Sequence, residues 1–293
     1  MKLVVNDLYL NFGGTNALTG VSLEITEGEI LAVIGPNGAG KTCLLNCISG
    51  FYHPQKGDIY FDSRRISEMA IHQRPNLGIA RTFQNPGLFM GLTTVENLLA
   101  ARHIHLKPGV LSSAIYFGWE HRKDIRHRKV VEEIMDFLEI TPIRHKVVGT
   151  LGYGLRRRVE LGVALALEPK LMLLDEPSLG LAPILVKQIF DIIHNINQEG
   201  TAILLVEQNA RAALSLAQYS YVMENGRIVL DGPAAELRNN EDVQEFYLGL
   251  SKLGQRKSYR EVKALCKEEK MAVVHQGRQQ CAMLSQRRCL RQS

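Results

Sequence analysis

One short segment of the chain is rich in glycine and ends in a lysine and a threonine. Its residues are Gly35-Pro36-Asn37-Gly38-Ala39-Gly40-Lys41-Thr42. Glycines allow the backbone N–H groups of such a turn to surround a phosphate, and the N-terminus of a following helix adds a favourable dipole. In this pattern Lys41 would reach the β- and γ-phosphates of a nucleotide, and the hydroxyl of Thr42 would hold Mg²⁺. The segment predicts a phosphate-binding loop.

A second segment is an apolar run that ends in two carboxylates. It reads Leu171-Met172-Leu173-Leu174-Asp175-Glu176. Asp175 suits coordination of Mg²⁺, which prefers hard oxygen ligands, and Glu176 could orient an attacking water and take its proton. Alone, such a pair is equally typical of a helix cap or a solvated turn. Together with the phosphate-binding loop, it predicts a site that hydrolyses a nucleotide.

The elements that must position these segments alternate between strands and helices. Apolar patterns predict strands at 2–10, 18–25, 29–34, 58–61, 171–174 and 202–206. The other predicted elements are a helix at 42–49, a helix from Pro183 and a hairpin that turns at Asn225-Gly226. Between 95 and 167 the periodicity is helical, with Val130, Ile134 and Leu138 on one face and Val131 and Met135 beside them. The pattern indicates an α/β core with a helical insertion at about 86–165.

The composition of the 293 residues, 45% hydrophobic and 22% charged, is typical of a globular protein and excludes general disorder. No apolar run reaches the roughly 18–20 residues that span a bilayer. Asp7 comes too early for the apolar region of a secretory signal. The five cysteines lack the spacing of a zinc site or a disulfide framework, so we expect a reducing, cytosolic compartment.

The positive charge is concentrated at the C-terminal end of the chain. Residues 251–293 hold 11 Lys and Arg against 3 Asp and Glu, whereas the first 250 residues have a balance of −3. We expect a mobile tail at 251–293 and no nucleic-acid partner for the core. The consecutive Arg156, Arg157 and Arg158 are expected on a solvated helix face.

The sequence resembles the ATP-binding subunits of ABC transporters over about residues 3–250. Gln84, within Arg81-Thr82-Phe83-Gln84-Asn85, is similar to the glutamine of that family that contacts Mg²⁺ and senses the membrane subunit. Phe12 lies where the family places an aromatic ring on adenine. The alternative interpretations are a core aromatic at a strand end for Phe12 and a polar loop residue for Gln84. The implied fold is a P-loop NTPase core with an N-terminal antiparallel β subdomain.

Several segments resemble the ATPases of branched-chain amino acid importers in particular. These are Phe12-Gly13-Gly14, Gly78-Ile79-Ala80-Arg81-Thr82-Phe83-Gln84, Leu92-Thr93-Thr94-Val95-Glu96-Asn97, Ser178-Leu179-Gly180-Leu181-Ala182-Pro183 and Leu205-Val206-Glu207-Gln208-Asn209. The first three resemble this subfamily as a whole, and the last two are more similar to its second ATPase subunit. The chain therefore mixes features of two paralogous subunits. The N-terminal half is also similar to the ATPase of lipopolysaccharide export.

The family's signature segment, usually L-S-x-G-Q, is altered in this sequence. It reads Leu151-Gly152-Tyr153-Gly154-Leu155, without the serine or the glutamine. Gln208 takes the place of the switch histidine, and Ala182 replaces an aspartate that is usual after Glu176. These departures leave open a weakly catalytic, interaction-type cassette.

The resemblance implies an ATP-hydrolysing importer subunit on the cytoplasmic face of the cell membrane. Its catalytic residues would be Lys41, Glu176 and Gln208, with Mg²⁺ held by Thr42, Gln84 and Asp175. Its partners would be a second ATPase subunit that presents its signature to the nucleotide, integral-membrane permease subunits and, indirectly, a periplasmic solute-binding protein. A soluble ABC ATPase of translation or DNA repair is disfavoured, because the chain has neither a second cassette nor a coiled-coil insertion.

Overall fold

The computed structural model describes residues 1–82, 87–103, 119–240 and 243–244. Residue contacts divide the chain into two units, Met1–Asn240 and Glu241–Ser293. The predicted tail, 251–293, lies outside the described residues. The strands are β1 (Lys2–Phe12), β2 (Thr15–Thr26), β3 (Ile30–Ile34), β4 (Lys56–Phe61), β5 (Arg64–Arg65), β6 (Ile79–Arg81), β7 (Leu171–Asp175), β8 (Ala202–Glu207), β9 (Tyr219–Glu224) and β10 (Arg227–Pro233). The α-helices are α1 (Lys41–Ser49), α2 (Thr94–Arg102), α3 (Trp119–Phe137), α4 (Tyr153–Leu165), α5 (Pro183–Gln198), α6 (Ala210–Leu216) and α7 (Ala234–Asn239).

The first sheet is antiparallel and has the strand order β2-β1-β4-β5. In β1 the buried residues are Leu3 and Val5 and then Leu8 and Leu10, so the alternation shifts by one position between Val5 and Leu8. The register irregularity between Val5 and Leu8, where Asp7 has a φ of 49°, accounts for the slip. Such a bulge keeps apolar side chains on the core face on both sides of it. The predicted N-terminal antiparallel β subdomain is confirmed.

The second sheet has the order β10-β9-β3-β8-β7-β6 and is parallel from β9 to β6. Every residue of β3, β7 and β8 is buried, which explains their continuous apolar runs. Parallel strands end at the same edge of a sheet. The residues that follow Ile34, Leu174 and Val206 therefore meet at one edge, and these residues carry the predicted site.

The described helices α2, α3 and α4 occupy the predicted helical insertion, and several other elements also follow the predictions. The buried apolar residues of α5 are Ile189, Phe190, Ile192, Ile193 and Ile196, which form one face of the helix that begins at Pro183. In α3 Val131 and Met135 are fully buried, as is Leu138 just after the helix, whereas Val130 and Ile134 are only half-buried. The predicted face of α3 was therefore wrong by about one residue, because apolar residues on two adjacent rows left its centre ambiguous.

None of the described helices has the length and apolar content needed to cross a bilayer.

The start of α2 is fixed by a reciprocal pair of hydrogen bonds. The hydroxyl of Thr93 accepts from the backbone N–H of Glu96 at 3.4 Å, and the Glu96 carboxylate accepts from the backbone N–H of Thr93 at 2.8 Å. The Glu96 carboxylate also accepts from the Thr93 hydroxyl at 2.7 Å, and the two bonds that it accepts from Thr93 lower its pKa. The capping box satisfies two backbone donors that a helix start otherwise leaves unpaired. It thereby fixes the residue at which α2 begins.

We expect Thr93→Ala to destabilise the protein by about 1 kcal/mol, because it removes the side-chain cap of α2. Urea denaturation would measure the change in the free energy of unfolding. Thr93→Ser is the matched control, since it keeps the hydroxyl and should stay within about 0.5 kcal/mol of the wild type. Equal stability of the alanine and serine variants would show that the cap does not stabilise this helix.

Candidate functional site

The glycine-rich loop joins the end of β3 to the start of α1, and two of its glycines have no room for a side chain. A Cβ added at Gly35 would lie 2.1 Å from the carbonyl oxygen of Met223. Gly40 has a φ of 99°, and a Cβ there would lie 2.5 Å from the carbonyl oxygen of Ala17. Neighbouring backbone therefore holds the loop tightly. Its shape requires glycine at these positions, as a phosphate-binding loop does.

Lys41 is 4% exposed and points back into the loop. Its Nζ donates to the carbonyl oxygens of Gly35 at 2.9 Å and Pro36 at 3.1 Å, and it lies 3.4 Å from an oxygen of Glu176. The ammonium group is thus fixed by the loop and faces the carboxylate of Glu176, the residue that follows β7. This position delivers a positive charge to a phosphate seated in the loop.

Glu176 follows β7 in a left-handed conformation, with a φ of 48°. Its backbone N–H donates to the carbonyl of Val206 at 2.9 Å, and its side chain is nearly buried. A left-handed backbone is uncommon for a residue other than glycine and concentrates at functional sites. Here it turns the chain at the strand end, where the carboxylate of Glu176 faces Lys41.

Asp175, the last residue of β7, divides its two carboxylate oxygens between two partners. Oδ1 accepts from the hydroxyl of Thr42 at 3.3 Å, and Oδ2 accepts from the Arg81 guanidinium at 3.1 Å. The described residues contain no group of three or more His, Cys, Asp or Glu arranged to hold a metal. Mg²⁺ at a nucleotide site takes one or two protein oxygens together with phosphates and waters. Thr42 and Asp175 fit that donor set.

A cavity of about 520 Å³ opens over the phosphate-binding loop. It is lined by Thr15, Asn16, Ala17, Asn37, Gly38, Ala39, Gly40, Lys41, Thr42, Cys43, Glu176 and Leu179. The thiol of Cys43 has a raised pKa because of its partial burial and the nearby Asp175. The cavity thus combines the ammonium group of Lys41, backbone donors and a carboxylate, Glu176, that could take a proton from water.

The geometry of the site agrees with the comparisons to known proteins. A family model described as "ABC transporter" matches residues 18–179, which is more than half of the chain. The chain belongs to the ABC transporter family. The predicted resemblance is therefore confirmed.

Curated relatives extend the similarity over most of the chain. It is 37% identical over 255 residues to the high-affinity branched-chain amino acid transport ATP-binding protein LivG of Salmonella typhimurium, which covers 84% of this chain and 97% of LivG. It is 34% identical over 248 residues to BraF of Pseudomonas aeruginosa, with coverage of 84% and 97%. BraG of the same organism is 37% identical over 238 residues, with coverage of 81% and 95%.

Solved ATP-binding cassettes of ABC transporters share the fold. A nucleotide-free cassette matches with a TM-score of 0.72 and 31% identity, covering 87% of this chain and 100% of that one. A cassette in its ADP conformation also gives a TM-score of 0.72 and 31% identity, with coverage of 85% and 99%. These matches confirm the predicted fold class of an ABC-type P-loop NTPase.

Glu207, the last residue of β8, is a buried acid near the site that was not predicted from the sequence. Glu207 accepts from the backbone N–H and the hydroxyl of Ser178, both at 2.9 Å. Burial raises the pKa of Glu207, and its hydrogen bonds partly offset that effect. Glu207 ties the segment after Glu176 to the segment that carries Gln208. The sequence could have indicated this acid, because Glu207 ends a continuous apolar strand in the same way as Asp175.

Gln208 lies beside the predicted base. It lines a cavity of about 350 Å³ together with Glu176, Glu207 and Asn209. A side-chain amide at this position can both donate and accept hydrogen bonds, but it cannot titrate near neutral pH as histidine does. The structure thus brings Gln208 and Glu176 to one cavity.

Of the other two predicted site residues, the structure describes Phe12 but not Gln84. Phe12 is 48% exposed and makes an edge-to-face contact with Tyr52, with ring centroids 5.1 Å apart. The alternative interpretation of Phe12 as a core aromatic is therefore wrong. Gln84 lies outside the described residues.

The signature segment forms the start of α4. Gly152 is the N-cap of that helix, and nothing lies within 4 Å of a Cβ built on it. Tyr153 and Leu155 are exposed, whereas a Cβ at Gly154 would touch Leu185 at 3.1 Å. Among the described residues that line the cavity over the loop, none comes from 151–155. Within one chain the signature and the loop are separate surfaces.

One expectation about α4 is wrong. Arg157 was expected on a solvated helix face with its two neighbours, but it is buried. It donates to Glu160 at 2.8 Å and to the Tyr153 hydroxyl at 2.7 Å. A buried guanidinium needs an ionic partner, and the i,i+3 spacing provides one on the same helix. Arg156 and Arg158 are half-buried and donate to backbone carbonyls of Leu151 and Leu138, respectively.

Proposed function

We propose that this chain is the ATP-hydrolysing subunit of an ABC importer for branched-chain or other apolar amino acids. The observation that carries the proposal is the meeting of Lys41, Asp175 and Glu176 at the phosphate-binding loop. The transported solute class is supported by the similarity to LivG and BraF, both of which are branched-chain amino acid transport ATP-binding proteins.

Hydrolysis requires that water attack the γ-phosphorus while the bond to the β-phosphate oxygen breaks, which gives ADP and inorganic phosphate. The loop N–H groups and Lys41 bind the phosphates and neutralise the charge that develops on them. Thr42 and Asp175 would hold Mg²⁺, which neutralises further phosphate charge when bound. Glu176 orients the water and takes its proton, and Gln208 supports the same cavity.

The contact between Lys41 and Glu176 links the binding of phosphate by Lys41 to the activation of water by Glu176. The two side chains lie 3.4 Å apart and are both nearly buried, so each balances the charge of the other. A phosphate that enters the loop competes for Lys41 and releases Glu176 toward water. Nucleotide binding would thereby switch on the general base in the same step that seats the substrate.

The second partner of the nucleotide would be the signature of another cassette. In this chain the exposed start of α4 at Gly152 has backbone donors aimed outward from a helix N-terminus, a suitable end for an anion. A head-to-tail pair would place that end on the γ-phosphate held by the other subunit. Closure of the pair then depends on ATP, and hydrolysis removes its free energy.

The membrane partner would be a permease, with this chain peripheral to it on the cytoplasmic face. An exposed apolar patch is formed by Phe89, Met90, Leu92 and Val147, which are 61%, 41%, 37% and 39% exposed. Backbone hydrogen bonds of 2.9 Å from Gly149 to Met90 and from Val148 to Leu92 join the two segments that carry it. A patch of this kind fits a protein interface. A periplasmic binding protein would supply the solute, and no nucleic acid takes part.

Replacing Glu176 by Gln tests the proposed chemistry. The amide keeps the shape of the side chain but cannot take the proton, so ATP should bind while hydrolysis falls at least about 100-fold, the usual contribution of a general base. A phosphate-release assay and an ATP titration would measure the two effects. Glu199→Gln, at the exposed end of α5, is the control and should hydrolyse ATP at the wild-type rate. Normal hydrolysis by Glu176→Gln would exclude Glu176 as the base.

A weakly catalytic cassette is the second candidate, and the altered signature is the observation that favours it. Gly152 keeps the backbone donor but not the hydroxyl, and a hydrogen bond to a charged group contributes about 1.5–3 kcal/mol. The space around Gly152 admits a side chain. In a heterodimer the site that uses this signature would be slow, and the site that uses this chain's Lys41 would remain competent.

We expect Gly152→Ser combined with Leu155→Gln to raise ATPase activity several-fold, because it restores hydrogen bonds to the transition state. Serine for glycine at an N-cap changes helix stability by only about a few tenths of a kcal/mol, so a rate change would report on the site. Steady-state ATPase rates with ATP affinity measured in parallel are the test. Gly91→Ser, at another open and exposed glycine, is the control. An unchanged rate would mean that the signature is not limiting.

A further inference from the structure

Arg81 is a buried cation next to the site, and the mechanism described above does not use it. It is the last residue of β6, the strand at the edge of the parallel sheet, where it pairs with Leu173 of β7. Three residues later comes Gln84. The side chain of Arg81 is only 7% exposed, although arginine is rarely buried without ionic partners. Its position connects the strand before Gln84 with the end of β7.

The guanidinium of Arg81 contacts the proposed magnesium ligand directly. One terminal nitrogen donates to Oδ2 of Asp175 at 3.1 Å, while Oδ1 of the same carboxylate accepts from Thr42 at 3.3 Å. The terminal torsion of an aspartate is broad and has no strong preference of its own. The contact with Arg81 therefore selects which oxygen faces Thr42.

Arg81 is in turn fixed from the other side by α1. Its second terminal nitrogen donates to Oδ1 of Asn46 and to the hydroxyl of Ser49, both at 2.7 Å. The guanidinium also lies over the ring of Phe51, 5.5 Å from its centroid. A planar guanidinium can serve these partners at once, which a lysine ammonium on its flexible stem cannot do in the same geometry.

We propose that Arg81 is a positioning residue for the metal site, which holds Asp175 so that Oδ1 stands beside Thr42 in the orientation that receives Mg²⁺. This inference rests on the proposed function, because it assigns a role within that ATP site. Arg81 does not touch the nucleotide. It acts through Asp175, and α1 supplies the fixed frame against which it acts.

A purely structural ion pair would have a different effect. Loss of a buried cation that only stabilises the fold lowers stability and weakens every form of nucleotide binding to a similar extent. Loss of a residue that orients a metal ligand weakens binding selectively when Mg²⁺ is present, and partners of metal ligands typically contribute about 10–100-fold to metal affinity. The ratio of the ATP dissociation constant in EDTA to that in Mg²⁺ separates the two roles.

The experiment is calorimetric titration of the full chain with ATP, once in excess Mg²⁺ and once in EDTA. The preference for Mg²⁺ is the ratio of the ATP dissociation constant in EDTA to that in Mg²⁺. We expect Arg81→Gln to reduce this ratio by about ten-fold or more, while the ATP dissociation constant in EDTA stays within about two-fold of the wild type. Arg81→Lys keeps the charge, so its preference for Mg²⁺ should lie between those of the wild type and Arg81→Gln. The matched control is Arg74→Lys, a change at another buried arginine, which donates to backbone carbonyls of Cys47, Ile48 and Ile66. It should leave the preference unchanged.

A folded Arg81→Gln variant with the wild-type preference, or with equal losses in both conditions, would overturn the inference. If that variant does not fold, Asn46→Ala with Ser49→Ala decides, because it frees the guanidinium from α1 and leaves its contact with Asp175. An unchanged preference in that pair would also overturn it, and a reduced one would support it. Failure of the wild type to bind ATP in either condition would overturn the proposed function as well.

Discussion

Three carboxylates are buried at the ends of neighbouring parallel strands, and the balance of their charge is the constraint on which this site depends. Asp175 and Glu207 are 1% exposed and Glu176 is 6% exposed. An ionised carboxylate without a partner in such surroundings costs several kcal/mol. Each one is compensated differently. Lys41 faces Glu176, Arg81 and Thr42 share Asp175, and Glu207 accepts from Ser178.

This arrangement explains why the surrounding elements have the form they do. The loop that carries Lys41 must turn within reach of backbone at Ala17 and Met223, which leaves no space for side chains at Gly35 and Gly40. Glu176 adopts a left-handed backbone so that its carboxylate can face Lys41. A nucleotide phosphate would compete with Glu176 for Lys41, while Arg81 keeps its contact with Asp175, so the site is preorganised for charge before the substrate arrives.

Much of this could be predicted from the sequence because the signals are local. The glycine-rich loop and the continuous apolar runs of β3, β7 and β8 identify the core and the edge where the site lies. The role of Arg81 was missed because its partner is distant: it reaches Asp175, 94 positions away, from a strand that is only three residues long. Arg157 was misplaced because a basic residue next to two others resembles a surface run, although Glu160 neutralises it.

The most direct measurement of the central claim is the steady-state ATPase rate of Lys41→Ala beside that of Lys129→Ala, whose side chain is 77% exposed on α3. If Lys41 carries the charge that the phosphates require, its loss should lower the rate to less than about a tenth of the wild type, since about 1.4 kcal/mol is already ten-fold. Lys129→Ala should retain the wild-type rate. A Lys41→Ala rate above about a tenth of the wild type would contradict the account.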